Sequence, residues 1–166
     1  NNGVNDLTPS QIKDIYTGKI TNWKDLGGAD ALITVVIREA SSGTRGAFAE
    51  IVGLEKKDDD STKLIASATT CDSTGAVQTT VSQNENAIGY MSFSDVDTAK
   101  VKTCKYDGVE ISTETLKDNS YKLKREFLLI TKAGATLSAP AQAFIDFILS
   151  DAGQSIVKDN KLLPIK

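Results

Sequence analysis

The chain has 166 residues, of which 40% are hydrophobic and 25% charged, a balance that suits one ordinary domain or one large lobe of a larger protein. Acidic and basic residues are interspersed and the formal net charge is -3, so no basic face invites nucleic acid. The absence of histidine removes Ser-His and Cys-His nucleophilic catalysis and the usual His-containing zinc sites, and no cofactor or metal is expected.

No apolar run approaches the roughly 20 residues that a membrane span needs. The opening NNGVND carries no signal-peptide pattern, so the expectation is that any targeting segment is absent or already removed. Cys71 and Cys104 lack C-x-x-C spacing and read as buried thiols, with a disulfide between them and the redox compartment left open.

In chain order, Thr8-Pro9-Ser10-Gln11 predicts a helix start with a capping box and proline at the first helical position. Ile12, Ile15 and Tyr16 share one face of that helix, and Gly18 is its natural stop. Residues 20–28 hold the only tryptophan, Trp23, and end in a Gly-Gly turn. The β-branched run at residues 33–37 predicts a strand. A helix follows over about residues 43–52, closed by Gly53. Residues 55–63, with three consecutive aspartates, read as an exposed loop or frayed helix end.

Asp72-Ser73-Thr74-Gly75 marks another helix start, and residues 87–91 a short buried strand. Residues 101–106 and 109–111, joined by Asp107-Gly108, predict a hairpin, because Asp-Gly tolerates the positive φ angles of a type I′ turn. Residues 123–131 predict a second strongly apolar strand. A helix over residues 139–150 is expected to bury Ala141, Phe144, Ile145, Ile148 and Leu149. A short helical turn at residues 154–157 and an apolar tail finish the chain. Strands and helices alternate throughout, which predicts an α/β layer fold.

The most informative stretch is ITVVIREASSGTRGAFAE, residues 33–50. A strand feeding a short Ser/Gly turn into a helix leaves the first helical N–H groups without internal partners. The partial positive charge there attracts an anion. Arg38 stands at the carboxyl end of the strand, where open α/β sheets present ligand-binding groups, and its planar paired donors match an oxyanion. Ser42, Gly43 and Thr44 complete the predicted oxyanion site, with Ser41, Glu39 and Arg45 as secondary candidates. Against this stand a plain helix cap for Ser42–Thr44, a salt bridge from Arg38 to Glu39 or Glu50, and a merely solvated Arg45. Ser73 and Thr74 are further candidates, for which capping takes precedence over ligand contact.

Other anion motifs fit poorly. Gly18-Lys19-Ile20-Thr21 lacks the earlier glycine and the Lys-Ser/Thr adjacency of a P-loop, and no G-x-G-x-x-G occurs. A hydrolase using Ser42 would need a carboxylate or lysine base, and the sequence places neither beside it. Binding without chemistry is the simpler reading.

Several segments together resemble one family. LTPSQIKDIYTGKITNW (residues 7–23) is similar to the "LT..QI..IF.GKITNW" segment of the extracytoplasmic phosphate-binding proteins of ABC phosphate importers. Arg38 through Thr44 resembles their "R...SGT" loop, residues 87–90 their "AIGY" strand, and residues 144–154 their "FIDF.LS..GQ" helix. The resemblance implies one lobe of the type II periplasmic-binding-protein fold, a mixed central sheet flanked by helices. Residues 1–126 would be the second ligand-binding lobe. Residues 127–166 would be a return strand and C-terminal helices, packing with this lobe or with a missing first lobe.

The family's role implies inorganic phosphate as ligand, an ABC importer permease as partner and an extracytoplasmic location, periplasmic or lipid-anchored at the cell surface. Arg38 would supply the guanidinium, Ser42 and Thr44 hydroxyls, and Gly43 and Thr44 backbone N–H groups. A sensor or adhesion module reusing the lobe is the alternative outside transport. One departure stands out. The family often carries Asp or Glu two residues after the arginine, where it can accept the proton of hydrogen phosphate, and here that residue is Ala40. Either Glu39 serves by another backbone path, or the acceptor lies in the missing lobe, or discrimination against sulfate is weaker.

Overall fold

A computed structural model describes residues 2–54 and 63–165. These fall into two compact units, Asn1–Leu123 and Lys124–Lys166. The loop or frayed helix end expected over residues 55–63 lies almost wholly outside the described residues.

The first unit begins with β1 (Asp6–Leu7) and α1 (Pro9–Tyr16). Thr8 is extended and accepts the Gln11 N–H, while the Gln11 side chain accepts the Thr8 N–H at 2.8 Å, so the capping box is closed. Ile12, Ile15 and Tyr16 are buried together, as their spacing predicts. A 3-10 turn follows at Trp23–Leu26, and the Trp23 indole N–H donates to the Asn86 carbonyl at 2.9 Å.

β2 (Thr34–Arg38) leads into α2 (Gly43–Val52), and β3 (Thr69–Cys71) into α3 (Thr74–Ser82). β4 (Ala87–Ile88) completes a three-stranded sheet in the order β3-β2-β4, with both pairings parallel. β2 is therefore the central strand, and its apolar run Val35-Val36-Ile37 is buried, as expected for a parallel strand covered on both faces. Gly53 ends α2 in the left-handed region (φ 69°, ψ 42°), where a side chain would be strained.

β5 (Lys105–Tyr106) pairs parallel with β1, placing Asp6 opposite Lys105 and Leu7 opposite Tyr106. Asp107 and Gly108 take the expected positive φ angles, 54° and 80°. The expected hairpin nevertheless shrinks to a single antiparallel bridge, Tyr106 to Val109. The strand's ladder runs to β1 instead, through Lys105 N–H to Asn5 O (2.9 Å) and Asp107 N–H to Leu7 O (3.0 Å). The short α4 (Thr113–Lys117) follows, and Tyr106 and Tyr121 pack their rings 5.9 Å apart.

The second unit contains α5 (Ala139–Leu149) and α6 (Asp151–Asp159). Ser150 separates them: its hydroxyl donates to the Phe147 carbonyl at 2.6 Å and accepts the Gly153 N–H at 3.2 Å. A Cβ at Gly153 would collide with that same carbonyl. Buried Gln154 ties the unit further, donating to Ile148 O and accepting the Ile165 N–H, both at 2.8 Å. The helical turn expected at residues 154–157 is thus part of a longer helix.

Two expectations fail in this part of the chain. Residues 123–131 form no strand, and Phe127, Leu128, Leu129 and Ile130 are exposed. A strand needs a ladder partner, and among the described residues none pairs with this run. Of the α5 residues expected to be buried, Phe144 and Leu149 are exposed, whereas Ala141, Ile145 and Ile148 are half-buried. The strand expected over residues 87–91 is shorter, because only Ala87 and Ile88 have pairing partners on β2.

Both cysteines are free. Burial pushes the Cys104 thiol up to about 11, which keeps it protonated and unreactive near neutral pH. No helix among the described residues is long and apolar enough to cross a membrane.

The core supports a paired test. Ile15 is fully buried, so Ile15→Ala should destabilise by about 2–5 kcal/mol in urea unfolding. Tyr16 is equally buried, yet its hydroxyl is the sole buried side-chain polar atom without a hydrogen-bond partner among the described residues. Tyr16→Phe removes no hydrogen bond and should be neutral or stabilising in the same assay.

Candidate functional site

The parallel pairing of β2 with β3 sets Arg38 opposite Cys71, so both strands end at the same sheet edge. Each then turns directly into a helix. Ser42 caps α2 by accepting the Arg45 N–H (3.3 Å), and Ser73 caps α3 by accepting the Ala76 N–H (3.2 Å). Two helix N-termini, both favourable to negative charge, are thereby brought to one edge. The turn after Arg38 is held by Glu39 N–H to Cys71 O and Ser42 N–H to Glu39 O, both 3.1 Å.

Arg38 is the centre of this edge, its side chain only 13% exposed. Nε and Nη2 donate to the two carboxylate oxygens of Glu39 at 2.8 and 2.9 Å, and Nη1 donates to the Thr74 hydroxyl at 3.1 Å. The salt bridge to Glu39 is therefore real, and Glu50 is not the partner. A guanidinium has five N–H donors. Three are occupied, which leaves one on Nη1 and one on Nη2 without a partner among the described residues. The ion pair and an anion-binding role are thus compatible.

The Glu39 hydrogen bond raises the Arg38 pKa further, and the Arg38 hydrogen bond holds the Glu39 carboxyl below the ordinary carboxylate range. Glu39 directs both oxygens at Arg38, so it is not a free carboxylate. Ala40 and Ser41 are exposed.

Ser42 is buried and its hydroxyl oxygen accepts the Arg45 N–H, so it acts as the cap of α2. Gly43 and Thr44 are the first two residues of α2. Among the described residues no hydrogen bond engages the Thr44 N–H or hydroxyl, which leaves both available to an anion. Arg45 is not merely solvated: its Nη1 donates to the Arg38 carbonyl at 3.1 Å and braces the strand end. Ser73 is the cap of α3, whereas Thr74 is the residue that touches Arg38.

Sequence reasoning missed Tyr90. Its hydroxyl accepts the Arg38 backbone N–H at 3.1 Å, and its ring stacks on Phe48 of α2 with centroids 4.0 Å apart. The "AIGY" segment was the available signal, but nothing in local pattern links it to a residue 52 positions earlier. A largely apolar cavity of about 210 Å³, among residues such as Trp23, Phe48 and Tyr106, includes neither Arg38 nor residues 39–44. The site is an open edge of the sheet.

Residues 1–152 match the family described as PBP superfamily domain, and the chain belongs to it. The type II fold and the recognition of phosphate-binding relatives from sequence are borne out. The chain is 36% identical over 166 residues to a Bacillus subtilis phosphate-binding protein PstS, covering 98% of this chain and 52% of that protein. It is 40% identical over 136 residues to a Streptococcus agalactiae phosphate-binding protein PstS 2, covering 80% and 46%.

Among solved structures, a Clostridium perfringens protein described as a phosphate ABC transporter substrate-binding protein with bound phosphate is 51% identical. It has a TM-score of 0.85 and the match covers 100% of this chain and 65% of that one. A Vibrio cholerae ABC-type phosphate transport receptor matches at 32% identity and TM-score 0.88, covering 98% and 65%. The chain spans about half the length of the curated relatives it matches.

The depressed Glu39 pKa gives a measurable sign. A carboxylate lowered on folding contributes stability above its unfolded value, about 4.3, and that contribution is lost as pH falls through the folded value. Carboxyl NMR titration should place Glu39 below about 4.3 in the native chain. Arg38→Ala should move it back toward that value.

Proposed function

We propose that this chain is a phosphate-binding lobe of the solute-binding component of an ABC phosphate uptake system. The anion would sit at the start of α2, held by Arg38, Ser42, Gly43 and Thr44. Carrying this reading is the state of Arg38: a mostly covered guanidinium fixed by Glu39 and Thr74, yet keeping two N–H groups on different terminal nitrogens. Two such donors match two oxygens of one tetrahedral anion. The Thr44 N–H and hydroxyl, without a hydrogen-bond partner among the described residues, add donors at the helix N-terminus of the kind that phosphate favours.

The relatives lend the ligand its identity, since those compared above are named for phosphate binding or transport. A first lobe would close over the exposed edge and supply further contacts, including the acceptor for the proton of hydrogen phosphate that Ala40 does not provide. A permease in the membrane would receive the loaded protein, which places the lobe outside the cytoplasmic membrane. In this scheme residues 127–166 are the return segment.

Catalysis is not part of the proposal. The Ser42 oxygen is committed to the Arg45 N–H, and no described carboxylate or amine is hydrogen-bonded to it. A nucleophile without a base has no route to activation.

Two calorimetric outcomes check the proposal. Arg38→Ala in the full-length protein should weaken phosphate binding at least about tenfold, or roughly 1.4 kcal/mol; unchanged affinity would remove Arg38 from the site. The 166-residue chain by itself should bind phosphate no tighter than about millimolar, because an open edge leaves the anion largely hydrated. Micromolar affinity for the chain alone would show that one lobe suffices.

A further inference from the structure

The contact between Arg38 and Thr74 joins two helix starts that the sequence treats as unrelated. Thr74 lies 36 positions from Arg38 and is the first residue of α3, not its cap. Ser73 performs the capping, through the Ala76 N–H. The Thr74 hydroxyl is therefore not needed to satisfy its own helix, and its recorded partner is Arg38 Nη1 at 3.1 Å.

Glu39 grips the guanidinium on one side only, through Nε and Nη2. Nη1 lies outside that grip and is held by Thr74. We propose that Thr74 is a positioning residue for the anion site. By accepting one Nη1 hydrogen it adds a third anchor to the guanidinium that Glu39 holds through Nε and Nη2, which keeps the remaining Nη1 and Nη2 donors turned toward the bound oxyanion. The inference rests on the reading of Arg38 as a phosphate ligand and adds to it a determinant on a second helix.

Thr74→Val tests this, because valine keeps the shape, loses the acceptor and leaves the Ser73 cap in place. In the full-length protein, Thr74→Val should weaken phosphate binding about fivefold with an unchanged melting temperature. Thr74→Ser, which keeps the hydroxyl, should restore most of the affinity. The Arg38 Nη1 resonances should be split in wild type and in Thr74→Ser, and should average in Thr74→Val as rotation about Cζ–Nη1 loses the restraint of that hydrogen bond.

Arg38→Ala is the control for the underlying reading. If it abolishes binding while Thr74→Val binds as tightly as wild type, the site stands and the role of Thr74 is overturned. If Thr74→Val lowers affinity and melting temperature together and serine rescues neither, Thr74 is structural and the inference also fails. If Arg38→Ala binds phosphate normally, the site reading falls and this inference falls with it.

Discussion

The site depends on the register between two neighbouring parallel strands. Arg38 at the end of β2 lies opposite Cys71 at the end of β3, and the Glu39 N–H extends that ladder onto the Cys71 carbonyl. Parallel strands point their carboxyl ends the same way, so the helices that follow both begin at this edge. A slip of one residue would turn the β2 side chains to the opposite face. It would separate Arg38 from Thr74 and take the buried run Val35–Ile37 out of its packing. The apolar core and the polar edge are thus fixed by the same hydrogen-bond ladder.

Around that register the supports come from distant parts of the chain. Tyr90 receives the Arg38 backbone N–H and stacks on Phe48, which in turn packs edge-on against Tyr16 of α1 with centroids 4.9 Å apart. Arg45, in the first turn of α2, returns to the Arg38 carbonyl. The strand end is held through both its N–H and its C=O, so its position does not depend on the loop that follows. Residues 40 and 41 can stay exposed without loosening the arginine.

Much of this was legible locally. The Thr8 box, the Ser42 cap, the Gly53 stop and the apolar run of β2 each announce themselves within a few residues, because capping and strand burial are short-range chemistry. The strand–turn–helix that carries Arg38 and Ser42 was visible for the same reason. What sequence could not supply were contacts across long separations: Tyr90 to Arg38, and the choice of Thr74 over Ser73 as the residue touching the guanidinium. The errors also share one cause. Periodicity in residues 123–131 and along α5 marks apolar character correctly but does not say whether a covering surface exists among the same residues, and Phe127 and Phe144 remain exposed. Composition sets what a segment can bury, whereas topology decides what it meets.

The three occupied donors of Arg38 carry an entropic consequence. An arginine side chain has about 2 kcal/mol of rotamer freedom to lose when it is fixed in one geometry. Here the Glu39 carboxylate and the Thr74 hydroxyl already impose that geometry, so the loss belongs to folding. An anion meeting the donors that remain would not have to order this side chain, and a larger share of each new hydrogen bond would be expressed as affinity.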